Sequence, residues 1–374
     1  MKKNKFIFFC GTVAEFIKLF PVIREMELNG IDYVLVFTGQ NNIESSDLYP
    51  FITPKEILKL SEKQPHQSPV GLLIWFIKTF FIGFFKLASF VRKNREHGFV
   101  VLVHGDTISS VLGAYLSKLL GLVVVHIEAG LRSFNLLRPF PEEISRVLVS
   151  KVADISFCPN EWAANNLKNS KKMKIFVTVQ NTLLDSMNFS LSNKVEHEIF
   201  SRLPERFFIF VVHRQENIYN KALVELLVKK ILEISNTLKC VFILHRPTLH
   251  VLKKLNLIDE ILSNPNIIPT ERLPYMVFVH LLNKSEFIIT DGGSNQEESY
   301  YLGKPCLILR KETERIEGIG ENAVLSKLDY LEIEKFISSY EKFKRDRLRT
   351  DVLPSKIIFK ILDEMFISGH EEIV

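Results

Sequence analysis

The sequence has few cysteines, a small net charge and no repeated or low-complexity segments. Each of these features excludes or disfavours a class of protein. Only four cysteines occur in 374 residues, far apart and never as a CxxC pair, so nothing indicates a disulfide-rich secreted scaffold. Thiols in or beside apolar runs are typical of a reducing compartment, and we expect a cytoplasmic protein. The net charge of +5 is spread along the chain, so we expect no nucleic-acid partner.

The N-terminal stretch MKKNKFIFFCG has a basic start followed by an apolar run. That run is too short for the core of a signal peptide, and it lacks a small-residue cleavage site, so a first strand is predicted instead. The whole chain is long for a single core, which makes two domains the expectation.

Apolar β-branched runs alternate with helix-like stretches, the pattern of parallel sheets wound with helices on both faces. The predicted strands are 5–10, 33–38, 99–104, 122–127, 153–158, 174–179, 206–212, 239–244, 266–268, 286–290 and 305–309. We therefore predict an α/β fold of two Rossmann-like domains, 1–186 and 187–354, facing across a cleft. The C-terminal segment 355–374 is predicted to pack back on the first domain as a helix, and the polar stretch 187–205 to link the domains.

Residues 70–91 form the one long apolar stretch, nearly the length that spans a bilayer, with two lysines as its only charges. Thr79, Gly83, Lys86 and Lys93 recur at helical spacing, which predicts a narrow polar stripe beside a broad apolar face. One interpretation is a helix packed in a core or a dimer interface. The other is a helix lying on the membrane surface, which would make the protein peripheral at its inner face. The first is favoured, because another core strand follows at once.

Carboxylates follow several predicted strands of the first half. Asp106 lies near the end of VVLVHGDT, Glu128 follows VVVHI, and Glu142 and Arg146 lie four apart in the helix opened by PFPEEISR. An exposed ion pair at that spacing contributes only about 0.3–0.5 kcal/mol. Three carboxylates at converging loops favour a functional interpretation, because carboxylates brought together shift a pKa and suit acid/base chemistry.

The second half places histidines at two strand ends, His213 in VVHRQEN and His245 in FILHRP, and it places Arg315 after the strand CLIL. A lone histidine is more often structural than catalytic, but two at neighbouring strand ends shift the odds towards a site. We predict that His213 is catalytic and that His245 and Arg315 bind substrate.

A glycine pair stands between strand and helix in TDGGSNQEES, where backbone N–H groups are able to meet a phosphate. Gly293, Ser294 and Glu298 are the predicted ligand contacts of this segment. Without a ligand, Ser294 and Glu297 have the spacing of a capping box. The first turn, GTVAEFIK, shows the same spacing at Thr12 and Glu15.

These motifs, taken in order, resemble the UDP-N-acetylglucosamine 2-epimerase family over nearly the whole chain. The stretches that carry the resemblance are GTVAEFIKLFPVI, VHGDT, HIEAGLRS, PFPEEISR, VTVQNTLLD, HRQEN, TDGGSNQEES, LGKP and TERIE. The resemblance implies a GT-B-like pair of Rossmann domains that bind a UDP-sugar without a metal or an oxidised cofactor. We also expect a homodimer.

In such a family the proton at C2 is removed and UDP is expelled, and UDP is then added back with C2 inverted. The resemblance implies an acid/base set of Asp106, Glu128 and Glu142. It further implies that His213 faces the diphosphate and sugar, with charge supported by Lys18 and Arg146. By the same resemblance Glu298 holds the ribose, and the N–H groups around Gly293 and Ser294 hold the phosphate.

The chain departs from the family pattern at ligand-contact motifs, most clearly at Val13, where the family usually has arginine. Two interpretations of the function remain. The first is a 2-epimerase acting on UDP-GlcNAc or a related UDP-sugar in surface glycan biosynthesis of bacterial type. The alternative is a glycosyltransferase on the same scaffold, brought to a membrane-associated acceptor by residues 70–91. The persistence of all three carboxylates favours the epimerase.

Overall fold

The computed structural model describes residues 4–61, 69–136, 140–170 and 172–368, and contacts divide the chain into two compact units. The first unit holds residues 1–186 and 351–374, and the second holds residues 187–350. Each contains a parallel sheet flanked by helices. The predicted α/β fold class is therefore confirmed.

The strands and helices are numbered in chain order. The strands are β1 Asn4–Cys10, β2 Tyr33–Phe37, β3 Glu56–Lys59, β4 Gly98–His104, β5 Val123–Ile127, β6 Ile155–Cys158, β7 Lys174–Val177, β8 Phe207–Val211, β9 Lys239–Ile243, β10 Ile267–Thr270, β11 Ile288–Thr290, β12 Cys306–Ile308 and β13 Ala323–Leu325. The helices are α1 Val13–Leu28, α2 Pro69–Lys93, α3 Ile108–Leu119, α4 Glu142–Val152, α5 Glu161–Asn165, α6 Leu183–Ser192, α7 Gln215–Ile218, α8 Lys221–Ser235, α9 Arg246–Lys254, α10 Ile258–Ser263, α11 Tyr275–Lys284, α12 Gly293–Leu302, α13 Tyr330–Ser339 and α14 Pro354–Phe366.

The first sheet has the order β3-β2-β1-β4-β5-β6-β7, and the second has the order β10-β9-β8-β11-β12-β13. All neighbouring strands run parallel. The central strands β1 and β4 are almost wholly buried and apolar, because helices cover them. The carboxyl ends of parallel strands lie along one edge of a sheet, so the loops that follow them gather polar side chains there.

Two strands of the structure, β3 and β13, were not predicted from the sequence. Both β3 and β13 lie at an edge of their sheet and are short, so they lack the continuous apolar run that marks a buried strand. The stretch 187–205 also differs from the predicted link, since α6 continues to Ser192 and a 3₁₀ turn follows at Glu198–Arg202. The His280 ring contacts this stretch, with Nε2 3.0 Å from the carbonyl oxygen of Ser190.

The long apolar helix α2 packs on the protein through part of its predicted polar stripe, and its apolar face points to solvent. Thr79 is only 1% exposed, and a Cβ at Gly83 would lie 2.9 Å from Leu116 Cδ1. The small residues of the predicted polar stripe therefore allow close packing on the protein, while bulky apolar side chains face outward.

Candidate active site

In the first unit, the carboxylate of Glu128 forms the centre of a buried polar cluster after β5. Its Oε2 accepts hydrogen bonds from Lys18 Nζ and Asn181 Nδ2. All three residues are at most 7% exposed, and His104 Nε2 lies 3.9 Å from the same oxygen. The structure thus brings the predicted residues Lys18 and Glu128 into contact. Asn181 was not predicted as a site residue. Its position after β7, the last strand of the sheet, could have indicated it.

The backbone of Glu128 is held in the left-handed region, with φ of 60°. Such a conformation in a residue other than glycine costs on the order of 1–3 kcal/mol and persists where the surroundings dictate it. Gly105 stands opposite, and a Cβ there would lie 3.5 Å from Glu128 Oε1. Backbone strain and a small neighbour together direct the Glu128 carboxylate to the end of β4.

A second cluster joins Asp106 to Arg146 and Glu143. The Arg146 guanidinium donates to Asp106 through Nη2, and its Nη1 lies 3.2 Å from Glu143 Oε2. Glu143 is fully buried and also accepts from Arg132 Nε at 2.6 Å and from Ser133 N at 2.9 Å. Burial opposes its ionisation, but these hydrogen bonds outweigh that effect and lower the pKa of Glu143.

The two neighbouring glutamates of α4 therefore have different environments. Glu142, the predicted acid/base residue, is half-buried in the first turn, whereas Glu143 is the buried anion that positions Arg146. The sequence prediction gave no role to Glu143. Adjacent helical residues point about 100° apart, so the phase of the helix decides which one is buried.

The first turn has the predicted capping box, with Thr12 as N-cap and both reciprocal hydrogen bonds present. Glu15 has a further role, because its Oε1 accepts from Ser110 Oγ at 2.7 Å and from Thr107. It therefore joins the turn after β1 to the turn after β4. Burial raises the pKa of Glu15. Val13 opens α1 half-buried and brings no charge.

The two buried histidines near Glu128 are neutral. Burial lowers the pKa of His104 to about 3 and also lowers the pKa of His126. The ring of His126 contacts the Gly105 carbonyl oxygen through Nε2 at 2.8 Å. The charges of this edge of the sheet are therefore those of the carboxylates and of the cations Lys18 and Arg146.

In the second unit, His213 and His245 stack at the ends of β8 and β9. Their ring centroids are 4.8 Å apart with planes 17° from parallel. Partial burial lowers the pKa of His213, and burial with the nearby His213 and Arg272 lowers the pKa of His245 to about 4. The structure thus brings the two predicted histidines together as a neutral pair near neutral pH.

Asp291 holds the turn that carries His213, and the sequence prediction assigned it no role. It is fully buried after β11, and its carboxylate accepts from the backbone N–H of His213 at 3.1 Å and of Arg214 at 2.9 Å. The Nδ1 atom of His213 lies 3.2 Å from Asp291 Oδ1. The Asp291 carboxylate therefore fixes the backbone from which the His213 ring projects.

The helix α12 begins at the second glycine of the pair, Gly293, with Gly292 as its N-cap and no capping side chain. The predicted capping box of Ser294 and Glu297 is therefore wrong, because the helix begins before Ser294. Glu297 is instead fully buried, with its Oε1 2.9 Å from Arg315 Nη1. A Cβ at Gly293 would lie 2.7 Å from Arg315 Nε, so the glycine makes room for this arginine.

Glu298 is 2% exposed and accepts from Asn295 Nδ2 at 2.9 Å. Gln296 donates through Nε2 to the carbonyl oxygens of Arg315 at 3.1 Å and Glu317 at 2.8 Å. These bonds fasten the TERIE segment to α12. Ser294 stays partly exposed at the helix start, where unpaired N–H groups favour an anion.

The clusters suit two chemical tasks. Carboxylates held by cations in a buried setting can exchange protons, and a glycine-opened helix start beside a histidine pair can hold a phosphate. Together with the two parallel α/β sheets, they define a GT-B-like enzyme. The chain belongs to the UDP-N-acetylglucosamine 2-epimerase family, whose model matches residues 82–352. The resemblance predicted from the sequence motifs is confirmed.

Relatives match most of the chain. A UDP-N-acetylglucosamine 2-epimerase of Methanocaldococcus jannaschii is 34% identical over 84% of this chain and 85% of its own length. A UDP-2,3-diacetamido-2,3-dideoxy-D-glucuronate 2-epimerase of Pseudomonas aeruginosa is 30% identical over 91% of this chain and 94% of its own. The crystal structure of the Methanocaldococcus jannaschii UDP-GlcNAc 2-epimerase with UDP-GlcNAc and UDP superposes with a TM-score of 0.78. It is 30% identical and covers 96% of this chain and 99% of its own.

Proposed function

We propose that this protein is a UDP-N-acetylglucosamine 2-epimerase that interconverts UDP-GlcNAc and UDP-ManNAc. The observation that carries the proposal is the buried cluster of Lys18, Glu128 and Asn181, in a chain of this family. In the proposed reaction a carboxylate takes the proton from C2 while the bond from C1 to UDP breaks, which leaves an unsaturated sugar. UDP then adds back to C1, and a proton is delivered to the opposite face of C2.

The acid/base roles are proposed for Asp106, Glu128 and Glu142. Two contacts support the assignment, because Lys18 binds Glu128 and Arg146 binds Asp106. A cation hydrogen-bonded to a carboxylate fixes the direction in which its oxygens point. We therefore propose that Lys18 and Arg146 act by orienting the two carboxylates and balancing their charge.

Nucleotide binding is proposed for the second unit. The N–H groups at Gly293 and Ser294 would hold phosphate oxygens at the start of α12. His213 and His245, being neutral, would serve the diphosphate as hydrogen-bond partners rather than as cations. Arg315 would act through its ion pair with Glu297, which holds α12 in place. Glu298 would bind the ribose hydroxyls.

Family membership favours the epimerase over the glycosyltransferase alternative. The substrate is a nucleotide sugar in this proposal, and UDP-GlcNAc is its first candidate. A related UDP-2-acetamido sugar is the second, since family members named for either exist. We propose residence in the cytoplasm, which the four buried free cysteines support. A homodimer and a peripheral position at the inner face of the membrane belong to the same proposal.

The test is incubation of the purified protein with UDP-GlcNAc in deuterated water. UDP-ManNAc should form, and C2 should become labelled with deuterium. Glu128→Gln should lower kcat by about 10²–10⁴-fold, the usual contribution of a general acid or base. The exposed variant Glu260→Gln is the matched control and should keep full activity. Unlabelled substrate with no product from the folded wild-type protein would overturn the proposal, and sugar transfer to an added acceptor would favour the alternative.

A further inference from the structure

The helix α2 presents a broad apolar face to the outside of the first unit. The side chains on it are between 48% and 69% exposed and are Val70, Leu73, Ile74, Ile77, Phe81 and Phe85. They recur every three or four residues, so they lie on one side of the helix. Within the described residues nothing covers this face.

The opposite side of α2 is firmly packed. Trp75, Leu87 and Phe90 are at most 7% exposed, and Leu87 and Phe90 belong to the core between α2, α3 and the sheet. Gly83 brings the helix close to Leu60 and Leu116. The helix is therefore an integral layer of the first unit, and its outer face is a fixed feature of the surface.

Length and composition alone would allow α2 to cross a membrane, since the most apolar 18-residue window of Val70–Lys93 has a mean hydropathy of 1.8 and is 22% buried. The topology opposes a crossing. The strands before and after the helix, β3 and β4, belong to the same seven-stranded sheet. A crossing would place them on opposite sides of the bilayer, so only an orientation in the plane of the surface keeps the fold.

The charges on α2 identify the surface that it fits. The helix contains no aspartate or glutamate, and its basic residues Lys78, Lys86, Arg92 and Lys93 are exposed along its border and at its C-terminal end. Two copies of this face related by a twofold axis would bring lysines towards lysines, with no carboxylate of α2 to offset them. Anionic lipid headgroups complement the same pattern.

We propose that α2 lies flat on an anionic bilayer, with its apolar face among the acyl chains and its basic residues at the headgroup phosphates. This gives the peripheral position proposed above a defined surface and makes no use of the candidate active site. The protein would thus be held at a membrane surface by a helix that carries none of the candidate catalytic residues.

The experiment is flotation of the full-length protein with phosphatidylcholine vesicles and with vesicles of phosphatidylcholine and phosphatidylglycerol. The wild-type protein should float with the anionic vesicles and stay behind with the zwitterionic ones. The double variant Phe81→Gln, Phe85→Gln should lose at least about tenfold in partitioning, because two exposed aromatic side chains no longer insert. The matched control, Leu262→Gln with Leu331→Gln, removes two apolar side chains that are 54% and 72% exposed elsewhere and should float like wild type.

The charge contribution is measured with Lys78→Gln, Lys93→Gln, which should lower partitioning by about 25-fold, since each basic residue near an anionic surface contributes about fivefold. Absence of wild-type flotation, or equal flotation of the phenylalanine variant, would overturn the proposal. A shift of that variant from dimer to monomer in sedimentation velocity would assign the face to a second copy instead. Epimerisation in vesicle-free buffer is scored separately, so failure of the catalytic proposal leaves the flotation result intact.

Discussion

At the residue scale, the loops of the candidate active site are held in place by buried carboxylates that accept several hydrogen bonds. Glu15 binds the N–H groups of Gly11 and Thr12, Glu143 binds Arg132 and Arg146, and the turn after β8 is fixed by Asp291. An unpaired buried charge is strongly destabilising, so each of these acids requires its donors. Loops fixed in this way can present Glu128 and Asp106 with little freedom.

Val13 gives a direct test of charge at the first turn. Val13→Arg places a guanidinium at the start of α1, where a charged hydrogen bond to a diphosphate contributes about 1.5–3 kcal/mol. We expect KM for UDP-GlcNAc to fall by about 10–100-fold, while a cation at a helix N-terminus lowers stability by about 0.3–1 kcal/mol. Steady-state kinetics and thermal denaturation measure the two effects. Val13→Met adds length without charge, and an equal fall in KM for that control would contradict the electrostatic explanation.

At this scale, an interaction could be predicted from the sequence only when its two residues lie close together in the chain. The capping box of Thr12 and Glu15 is a spacing of three residues, and it was predicted correctly. The contacts of Glu15 with Thr107 and Ser110 span more than ninety residues, so no local pattern encodes them. The contact between Asn181 and Glu128 spans 53 residues and is likewise beyond any local pattern.

Among the elements, α6 and α14 are joined by an acid that takes no part in the proposed chemistry. Asp185 lies in α6, and its Oδ2 accepts from the backbone N–H of Ser355 at 2.7 Å in the first turn of α14. Burial raises the pKa of Asp185 from 3.8 to about 6, although the bond from Ser355 acts in the opposite direction. In the native state this carboxyl therefore keeps its proton up to about pH 6.

The sign of the resulting pH dependence follows from proton binding. Between about pH 4 and pH 6 the native state keeps a proton that the unfolded state has released, so the free energy of unfolding falls as pH rises through this window. Asp185→Asn cannot ionise and still accepts from Ser355. It should match wild type at pH 4 and exceed it by up to about 3 kcal/mol at pH 7. Urea denaturation at several pH values measures this; an unchanged slope in the variant would contradict it, and exposed Asp259→Asn is the control.

Element prediction succeeded where burial imposes a pattern. Central strands such as β1 and β4 are continuous apolar runs and were found from sequence, whereas the edge strands β3 and β13 have no such run and were missed. The helix α2 was found, but its orientation depends on close packing at Gly83, which composition does not reveal. Apolar periodicity locates a buried face only when the other face is polar.

At the scale of the whole molecule, the chain completes its second unit and then returns to the first. Helix α14 packs on α1, with Ile358 and Leu362 fully buried, and Asn4 Nδ2 donates to the Phe366 carbonyl oxygen at 2.7 Å. Helix α14 and the first strand thus stabilise one another although this bond spans 362 residues of the sequence. Residues 351–368 should therefore share the stability of the first sheet, and residues 369–374 of the predicted packing segment lie outside the described residues.

Ile358→Ala tests this partnership. Replacing a fully buried isoleucine by alanine typically lowers the free energy of unfolding by about 2–5 kcal/mol, and the loss should fall on the first unit because α14 belongs to it. Hydrogen exchange in moderate urea should show faster exchange in β1 and β4, with little change in β8. Ile333→Ala, 1% exposed in the second unit, is the matched variant and should reverse the pattern. Equal acceleration of both sheets by Ile358→Ala would show instead that the two units unfold as one.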